Sequence, residues 1–309
     1  MKKLGLTIII LTFNFCSTTK GWKNISLTSK DNLHDIEIID NETALTYSYG
    51  TGKLYKTVNA GKSWNQISQL DSVYFEQIRF IDKKVGYICG SPNKLYKTID
   101  GGFTWKDISL KDKSYFLVYG MYFSDRNKGY FSGMYRTQKG MFSEIYKTEN
   151  GGENWELVHK IKGAISNIKK IGNTIYGIGG SIVKDLDKKN NYKTVYKDTT
   201  KQVGFIRDIT INKNNNIKAI SFNGYLLSKS NSDWNVEQIT KNRLRSISYL
   251  NDVWLIAGDS IKEPNHVFKS IDNGNSWTPI KTKAPNIHRI KTFKNQIWMV
   301  GKNGYVSKK

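Results

Sequence analysis

The sequence predicts an all-β fold, a seven-bladed β-propeller formed as one domain by residues 20–309. Three observations predict it. A turn motif that ends in tryptophan recurs along the chain, its recurrences are about 42 residues apart, and the two ends of the chain carry complementary parts of one repeat. This period is typical of four-stranded propeller blades.

The recurring motif places Asp or Asn two positions after a Ser or Thr, then Gly, then Trp. Its residues in four copies are Asn59, Gly61 and Trp64; Asp100, Gly102 and Trp105; Asn150, Gly152 and Trp155; and Asp272, Gly274 and Trp277. An Asp or Asn side chain can accept hydrogen bonds from the backbone just ahead of it, and Gly can adopt the positive φ of a tight turn. The tryptophan then folds back to bury its ring against the preceding strand. The motif is an Asp-box hairpin, and its carboxylates are predicted to be structural.

Two further units lie between the third and fourth clear copies. One is degenerate and carries Tyr192 near the tryptophan position, and the other is shortened, lacks the glycine and ends at Trp234. Residues 134–142 form an insertion that is expected to lengthen a loop. The seven marker residues are Trp22, Trp64, Trp105, Trp155, Tyr192, Trp234 and Trp277.

The two ends of the propeller segment predict how the ring closes. Residues 21–26 resemble residues 63–68, the outer strand of a later unit, and no earlier strands precede them. Residues 301–307 resemble residues 50–56, a third strand with no fourth strand after it. We therefore expect the N- and C-terminal strands to share one blade, which removes exposed sheet edges.

The first residues are typical of an export signal. Lys2 and Lys3 precede an apolar run of about a dozen residues, too short to span a membrane, so residues 1–19 are predicted to be a signal peptide and the protein to act in the periplasm or cell envelope. Cys16 ends this run where a bacterial lipoprotein carries its lipidated cysteine, and both lipidation and ordinary cleavage remain open. Cys89 lies in an apolar segment and is expected to be a buried thiol.

The formal net charge is +22, and only seven of the 48 basic residues are arginine. Dispersed lysines can reflect genome composition alone, or they can attract an acidic protein, an acidic glycan or an anionic membrane surface. No nucleic-acid-binding motif is present. The four histidines show no ligand spacing, so neither a metal nor another cofactor is expected.

The Asp-box units resemble the bacterial neuraminidase (BNR) repeat of sialidases, xyloglucanases and sortilin. Seven units with the order strand, Gly-aromatic-apolar-Gly, Leu-Tyr-Lys-Thr, Asp-Gly-Gly and Trp are most similar to the photosystem II stability and assembly factor family. The resemblance implies a monomeric, non-enzymatic propeller that docks a protein client. Composition and signal segment indicate a member from a non-photosynthetic bacterium. The alternative is a carbohydrate-binding or sialidase-like glycoside hydrolase, although the arginine element of sialidases is absent.

An alignment of the first strands of the units places polar residues at one position, two before an apolar pair. In a propeller the innermost strand begins at one mouth of the central channel, so we expect these side chains to surround that opening. Arginine suits docking of carboxylates there because its guanidinium binds them bidentately. The other interpretation is that these strand ends are polar because they face water. The candidates are His34, Glu76, Tyr119, Arg207, Arg245 and, in the last unit, His288 or Arg289.

Overall fold

The computed structural model describes residues 21–71, 74–188, 191–231, 233–262, 266–282 and 286–309. These residues form seven four-stranded antiparallel sheets, the blades of a propeller. The innermost strands contact one another in sequence, and that of the last blade contacts that of the first, so the ring is closed. The predicted fold and the blade count are confirmed.

The strands follow one another from the channel outward in each blade. Blade 1 contains β2 (Leu33–Ile38), β3 (Ala44–Ser48), β4 (Lys53–Thr57) and β5 (Asn65–Gln69). Blade 2 contains β6 (Tyr74–Phe80), β7 (Gly86–Ser91), β8 (Lys94–Thr98) and β9 (Lys106–Asp107). Blade 3 contains β10 (Leu117–Phe123), β11 (Gly129–Thr137), β12 (Gly140–Thr148) and β13 (Glu156–Lys162).

The second half of the chain repeats this order. Blade 4 contains β14 (Ile165–Ile171), β15 (Thr174–Gly179), β16 (Ser181–Lys184) and β17 (Lys193–Lys197). Blade 5 contains β18 (Ile206–Ile211), β19 (Ile217–Ser221), β20 (Tyr225–Ser230) and β21 (Asp233–Gln238). Blade 6 contains β22 (Leu244–Leu250), β23 (Val253–Gly258), β24 (Val267–Ser270) and β25 (Thr278–Pro279). Blade 7 contains β26 (Ile287–Phe293), β27 (Gln296–Gly301), β28 (Val306–Lys308) and, from the N-terminal end, β1 (Lys23–Asn24).

Blade 7 closes the ring in the predicted way. Strand β1 pairs with β28 in antiparallel register, with Lys23 opposite Lys308. The pairing continues beyond the strand, because the backbone N–H of Ile25 donates to the carbonyl oxygen of Val306 at 2.9 Å. Each end of the propeller segment therefore satisfies backbone groups that the other end would leave exposed.

The Asp-box turns join the third and fourth strands of their blades. Asp100 accepts hydrogen bonds from the backbone N–H groups of Phe103 and Thr104, both at 3.0 Å, and Gly102 has a φ of +95°. Partial burial acts to raise the pKa of Asp100, but the bonds from Thr104 lower it to about 2. These local bonds occupy the carboxylate, as expected for a structural residue.

The tryptophans of the motif reach farther than the preceding strand. The indole Nε1 of Trp64 donates to the carbonyl oxygen of Ile25 at 3.1 Å, and Trp155 bonds Ile108 in the same way. Both acceptors follow the outer strand of the neighbouring blade. Trp64 also packs edge-on against Trp298 of blade 7, with 6.3 Å between ring centroids. Trp64 and Trp155 thus join adjacent blades, whereas the Nε1 of Trp105 donates to the carbonyl oxygen of Gly102 in its own turn at 2.9 Å.

The prediction that residues 134–142 lengthen a loop was wrong. Strands β11 and β12 each contain nine residues and remain paired up to Thr137 and Gly140, so the insertion extends a β-hairpin. The physical reason is aromatic pairing across the two strands, since Tyr135 lies opposite Phe142 and their rings stack at 5.9 Å.

The hydrophobic core consists of clusters that lie between adjacent blades. Tyr192 of the degenerate unit packs at the edge of one such cluster, 5.3 Å from the ring of His159. Cys89 is fully buried within β7. No helix long and apolar enough to cross a membrane is present among the residues that the structure describes. Cys16 and residues 1–20 lie outside the described residues.

Candidate binding site at the channel mouth

Every innermost strand contains a β-bulge near its start, at the same position in all seven blades. The register shifts lie between Leu33 and Ile36, Phe75 and Gln77, Val118 and Gly120, Ile165 and Asn167, Ile206 and Asp208, Leu244 and Ser246, and Ile287 and Arg289. A bulge inserts an extra residue and breaks the alternation of side chains between the two faces of a strand. Successive side chains at the bulge therefore both face the channel.

The bulged residues form a ring around one mouth of the channel. They line a cavity of about 540 Å³, which we call the mouth cavity. The ring consists of His34, Glu76, Tyr119, Ser166, Arg207, Arg245 and His288. The sequence alignment identified all of these positions except Ser166, which belongs to the degenerate unit. Ser166 also lies two residues before an apolar residue, Ile168, but Lys170 occupies the second position of the apolar pair, so the rule does not identify this unit.

Of the two candidates in the last unit, His288 lines the mouth cavity and Arg289 does not. Arg289 follows the bulge and lies one layer deeper, where its Nε is 3.0 Å from Oδ1 of Asp35 and its Nη1 is 3.8 Å from Oδ2 of Asp208. In the same layer the side-chain amide of Gln77 donates to Asn167 at 3.4 Å. We call this the middle layer, and it lies between the mouth cavity and a second cavity of about 460 Å³.

The middle layer requires close packing of backbone across blades. A Cβ atom added to Gly120 would lie 2.4 Å from the Cα of Asn167, which is closer than atoms can approach. Glycine therefore lets blades 3 and 4 meet at this depth. The buried polar side chains of the middle layer form the floor of the mouth cavity.

Three arginines surround one aromatic ring at the edge of the mouth cavity. The guanidinium carbons of Arg207, Arg243 and Arg245 lie 5.3, 5.1 and 5.5 Å from the ring centroid of Phe222. Phe222 directly follows β19, and sequence reasoning did not identify it. Cation–π attraction holds the guanidinium groups near the ring and offsets part of their mutual repulsion. This set of four residues is called the arginine cluster below.

Members of the arginine cluster differ in how their charge is balanced. The Nε of Arg245 donates to Oδ1 of the buried Asp259 at 2.7 Å. No ion pair joins Arg207 to a carboxylate within the described part of the chain, and its Nε is buried without a hydrogen-bond partner there. A buried guanidinium group without a bound carboxylate can gain stabilisation from an external anion.

The two histidines of the ring are neutral at physiological pH. Burial, followed by the charge of Arg245, lowers the pKa of His288 to about 4. Burial and the nearby His288 and arginines hold the pKa of His34 well below its usual value. The Nδ1 of His288 is 2.9 Å from the carbonyl oxygen of Leu33, which links blade 7 to blade 1.

Glu76 is the one carboxylate among the described residues that line the mouth cavity. It is 8% exposed, and its Oε2 lies 3.7 Å from Nδ1 of His34. Burial raises the pKa of Glu76 to about 7, although Arg207, Arg289 and Arg245 act in the opposite direction. Glu76 therefore exchanges its proton near neutral pH.

Part of the lining of the mouth cavity is apolar and belongs to blade 3, whereas the arginine cluster belongs to blades 5 and 6. Leu117, Met134 and Met141 form this part, and the last two belong to the extended β11–β12 hairpin. Methionine side chains adapt readily to different apolar surfaces. The cavity thus combines a cationic half with an apolar half.

The charged walls of the second cavity are joined by ion pairs. Lys291 lies 2.6 Å from Glu37 and 3.2 Å from Asp35, and Arg79 lies 3.3 Å from Glu37. Its charges hold neighbouring blades together, which distinguishes it from the mouth cavity. Nowhere in the described ranges do three or more His, Cys, Asp or Glu side chains come together as a possible metal site.

Comparisons with known proteins agree with this architecture. The model of the family described as photosynthesis system II assembly factor YCF48 matches residues 15–308. A solved structure of YCF48 bound to D1 peptide superposes with a TM-score of 0.73 at 19% identity, covering 93% of this chain and 96% of that chain. YCF48 from Cyanidioschyzon merolae gives 0.69 at 18% identity, covering 93% and 98%.

Enzymes share the same architecture. Virginiamycin B lyase from Staphylococcus aureus gives a TM-score of 0.70 at 14% identity, covering 93% of this chain and 98% of that chain. At these identities the superpositions show similarity of fold alone. No curated protein matches the sequence.

Proposed function

The chain belongs to the photosynthesis system II assembly factor YCF48 family, and from this premise we propose that it is an exported, non-enzymatic binding protein that docks a protein client at the mouth cavity. The arginine cluster is the observation that carries this proposal. Arg207 has a buried Nε and no carboxylate partner among the described residues. An acidic group of the client would supply that partner, because arginine binds carboxylates bidentately.

The apolar half of the mouth cavity supports a protein as the occupant. Leu117, Met134 and Met141 offer a surface for an apolar side chain beside the cationic half. A protein segment presents apolar and acidic groups together, whereas an inorganic anion would leave the apolar half uncovered. The solved YCF48 bound to D1 peptide is a protein of this fold with a peptide ligand, which is consistent with the proposal.

Glycoside hydrolysis is less consistent with the cavity. Most glycoside hydrolases need two carboxyl groups that flank the scissile bond. Glu76 is the single carboxylate of the described cavity lining, and the nearby Asp259 forms an ion pair with Arg245. The mouth cavity therefore favours binding over hydrolysis.

Export is the part of the proposal that rests on sequence alone. The pattern of residues 1–19 supports a signal peptide, and Cys16 is the candidate for lipidation. Metabolic labelling with a fatty-acid analogue, in cells that express the full sequence, should label the protein if Cys16 is lipidated. Cys16→Ala should remove the label. Recovery of the full-length chain in the cytoplasm, with its first residues uncleaved, would contradict export.

Docking can be tested by affinity capture from the envelope fraction of the native organism with tagged protein. Arg207→Ala combined with Arg243→Ala is the informative variant, because neither residue pairs with a buried carboxylate in the described residues, whereas Arg245 holds Asp259. Loss of desolvated charge pairs costs about 2–5 kcal/mol, so the captured client should dissociate at least tenfold faster.

A matched control removes two positive charges at the opposite end of the channel. Lys83 and Arg126 lie in the turns that follow β6 and β10, and both are exposed. The Lys83→Ala, Arg126→Ala variant should retain the client and change only the rate of association and its dependence on salt. Equal retention by both double variants would remove the arginine cluster from the proposed site.

A further inference from the structure

We propose that the mouth cavity binds a carboxylate of its client together with one proton, which is carried by Glu76. This inference rests on the docking function proposed above and concerns the same cavity. It assigns to Glu76 the role of a specificity-determining residue, because it makes binding depend on the protonation of the site.

Glu76 is the extra residue of the β6 bulge and is enclosed by charged and titratable groups from its own blade and from other blades of the ring. These groups are His34 of β2, Tyr47 of β3, Tyr49 after β3, Cys89 of β7, Tyr119 of β10, Arg207 of β18, Arg245 of β22, His288 and Arg289 of β26, and Lys302 after β27, with Asp35 in the middle layer. The Nδ1 atom of His34 is 3.7 Å from Oε2 of Glu76. Glu76 is therefore the acid of a cavity whose other charged lining groups are cationic.

A client carboxylate and an ionised Glu76 would compete for the same cations. Arg207, Arg245 and Glu76 all line the mouth cavity, so an anion that enters it comes close to Glu76. Two carboxylates that share a poorly hydrated site cannot both remain ionised easily, and one of them takes up a proton. The entering carboxylate is the one that the guanidinium groups can bind bidentately, so the proton goes to Glu76.

Protonation of Glu76 removes its repulsion of the client carboxylate and also allows a hydrogen bond between the two groups. A protonated carboxyl group gains an O–H donor, which can hydrogen-bond to the bound carboxylate. The histidines of the ring do not compete for this proton, because burial lowers the pKa of both His34 and His288. The proton is therefore assigned to one residue of the ring.

The affinity of the mouth cavity for a carboxylate should depend on pH. Burial raises the pKa of Glu76 to about 7. Below that pH the free protein already holds the proton, and affinity should be nearly independent of pH. Above it, Glu76 must take up one proton from the solvent for each client that binds, so affinity should fall about tenfold per pH unit. A ligand that lacks a carboxylate should show no such dependence.

The test uses calorimetric titration of the folded propeller with three short peptides at pH values from 5.5 to 8.5. Each peptide is N-acetylated and contains Leu and Phe for the apolar half. One has a free C-terminal carboxylate, the second is its amide, and the third is the amide with one internal Glu. Heats measured in two buffers with different ionisation enthalpies give the number of protons taken up. Proton uptake approaching one at pH 8 is expected for a peptide that carries a carboxylate.

The decisive variant is Glu76→Gln, which keeps the shape of the side chain and mimics its neutral form. It should bind the acidic peptide at pH 8 as tightly as the wild type does at pH 6, with no proton uptake. Glu37→Gln removes a carboxylate that lines the second cavity, and it should retain the pH dependence of the wild type. The peptide that binds better, with the free terminus or with the internal Glu, identifies the source of the carboxylate.

Other results would overturn the inference. Binding of the acidic peptides that is independent of pH in the wild type excludes the proton on Glu76, and failure of every peptide to bind at every pH excludes the carboxylate site. The docking function and the role of Glu76 are tested by different results. If the arginine variants still lose the native client while peptide binding shows no proton uptake, docking stands and the role of Glu76 falls.

Discussion

The Nε atom of Arg289 lies 3.0 Å from Oδ1 of Asp35, and this contact joins the innermost strand of the last blade to that of the first. Asp35 is 1% exposed and also accepts a hydrogen bond from the backbone N–H of Ile78 in blade 2, at 3.3 Å. One buried carboxylate therefore connects three blades at the centre of the ring. The arginine that sequence alone offered as a possible mouth residue has this structural task.

Arg289→Met should destabilise the propeller by about 3 kcal/mol, because it leaves the buried Asp35 with less compensation. Lys291, 3.2 Å from Asp35, limits the loss. Urea denaturation followed by tryptophan fluorescence measures the change in the free energy of unfolding. Lys83→Met breaks the exposed pair of Lys83 with Asp40 and should leave the free energy of unfolding almost unchanged. Equal effects of the two substitutions would contradict a structural role for the central ion pair.

Removal of residues 304–309 should destabilise the ring, since it deletes β28 and leaves both β1 and β27 with unpaired backbone groups. We expect a loss of several kcal/mol out of the roughly 5–15 kcal/mol that is typical of a folded domain. Thermal unfolding followed by circular dichroism measures the change. A truncated protein with the Tm of the intact chain would rule out a closing role for this strand.

Asp100→Ala should cost about 1–3 kcal/mol, because it removes hydrogen bonds to the backbone of Phe103 and Thr104. Asp100→Asn is the matched control, since Asn59 and Asn150 form the corresponding bonds to Ser63 and Asn154 at 2.9 Å. Chemical denaturation compares the free energies of unfolding of Asp100→Ala and Asp100→Asn. Loss of peptide binding in Asp100→Ala without loss of stability would contradict its assignment to the turn.

Glu76 should make the stability of the protein fall as pH rises. Its pKa is raised from 4.5 to about 7 in the folded state, so the folded protein holds a proton that the unfolded chain has released. The corresponding stability is fully present below pH 4.5 and is lost as pH rises to about 7, a change of about 3 kcal/mol.

Denaturation at pH 4.5, 6 and 8 tests this. The wild type should lose stability across the series relative to Glu76→Gln, which has no such proton to lose. Parallel curves for the two proteins would show that Glu76 ionises in the folded state as it does in the unfolded chain.

The arrangement of strands was predictable because each blade is stabilised by local interactions that repeat in the sequence. An Asp or Asn, a glycine and a tryptophan at fixed spacing specify a turn, and seven such units require closure. The complementary segments at residues 21–26 and 301–307 specified which strands close the ring. The hairpin of residues 134–142 escaped this reasoning because its stabilising contact, Tyr135 against Phe142, is a cross-strand pair outside the repeat.

The sequence by itself determined the fold, the number of blades and five of the seven residues that surround the mouth, because all of these follow from a spacing that recurs. Only the tertiary structure decided that His288 lines the mouth while Arg289 lies below it, since a bulge places both side chains toward the channel at different depths. It also decided that three arginines share Phe222. Contacts between blades depend on how the sheets pack around the axis, and no local pattern encodes that packing.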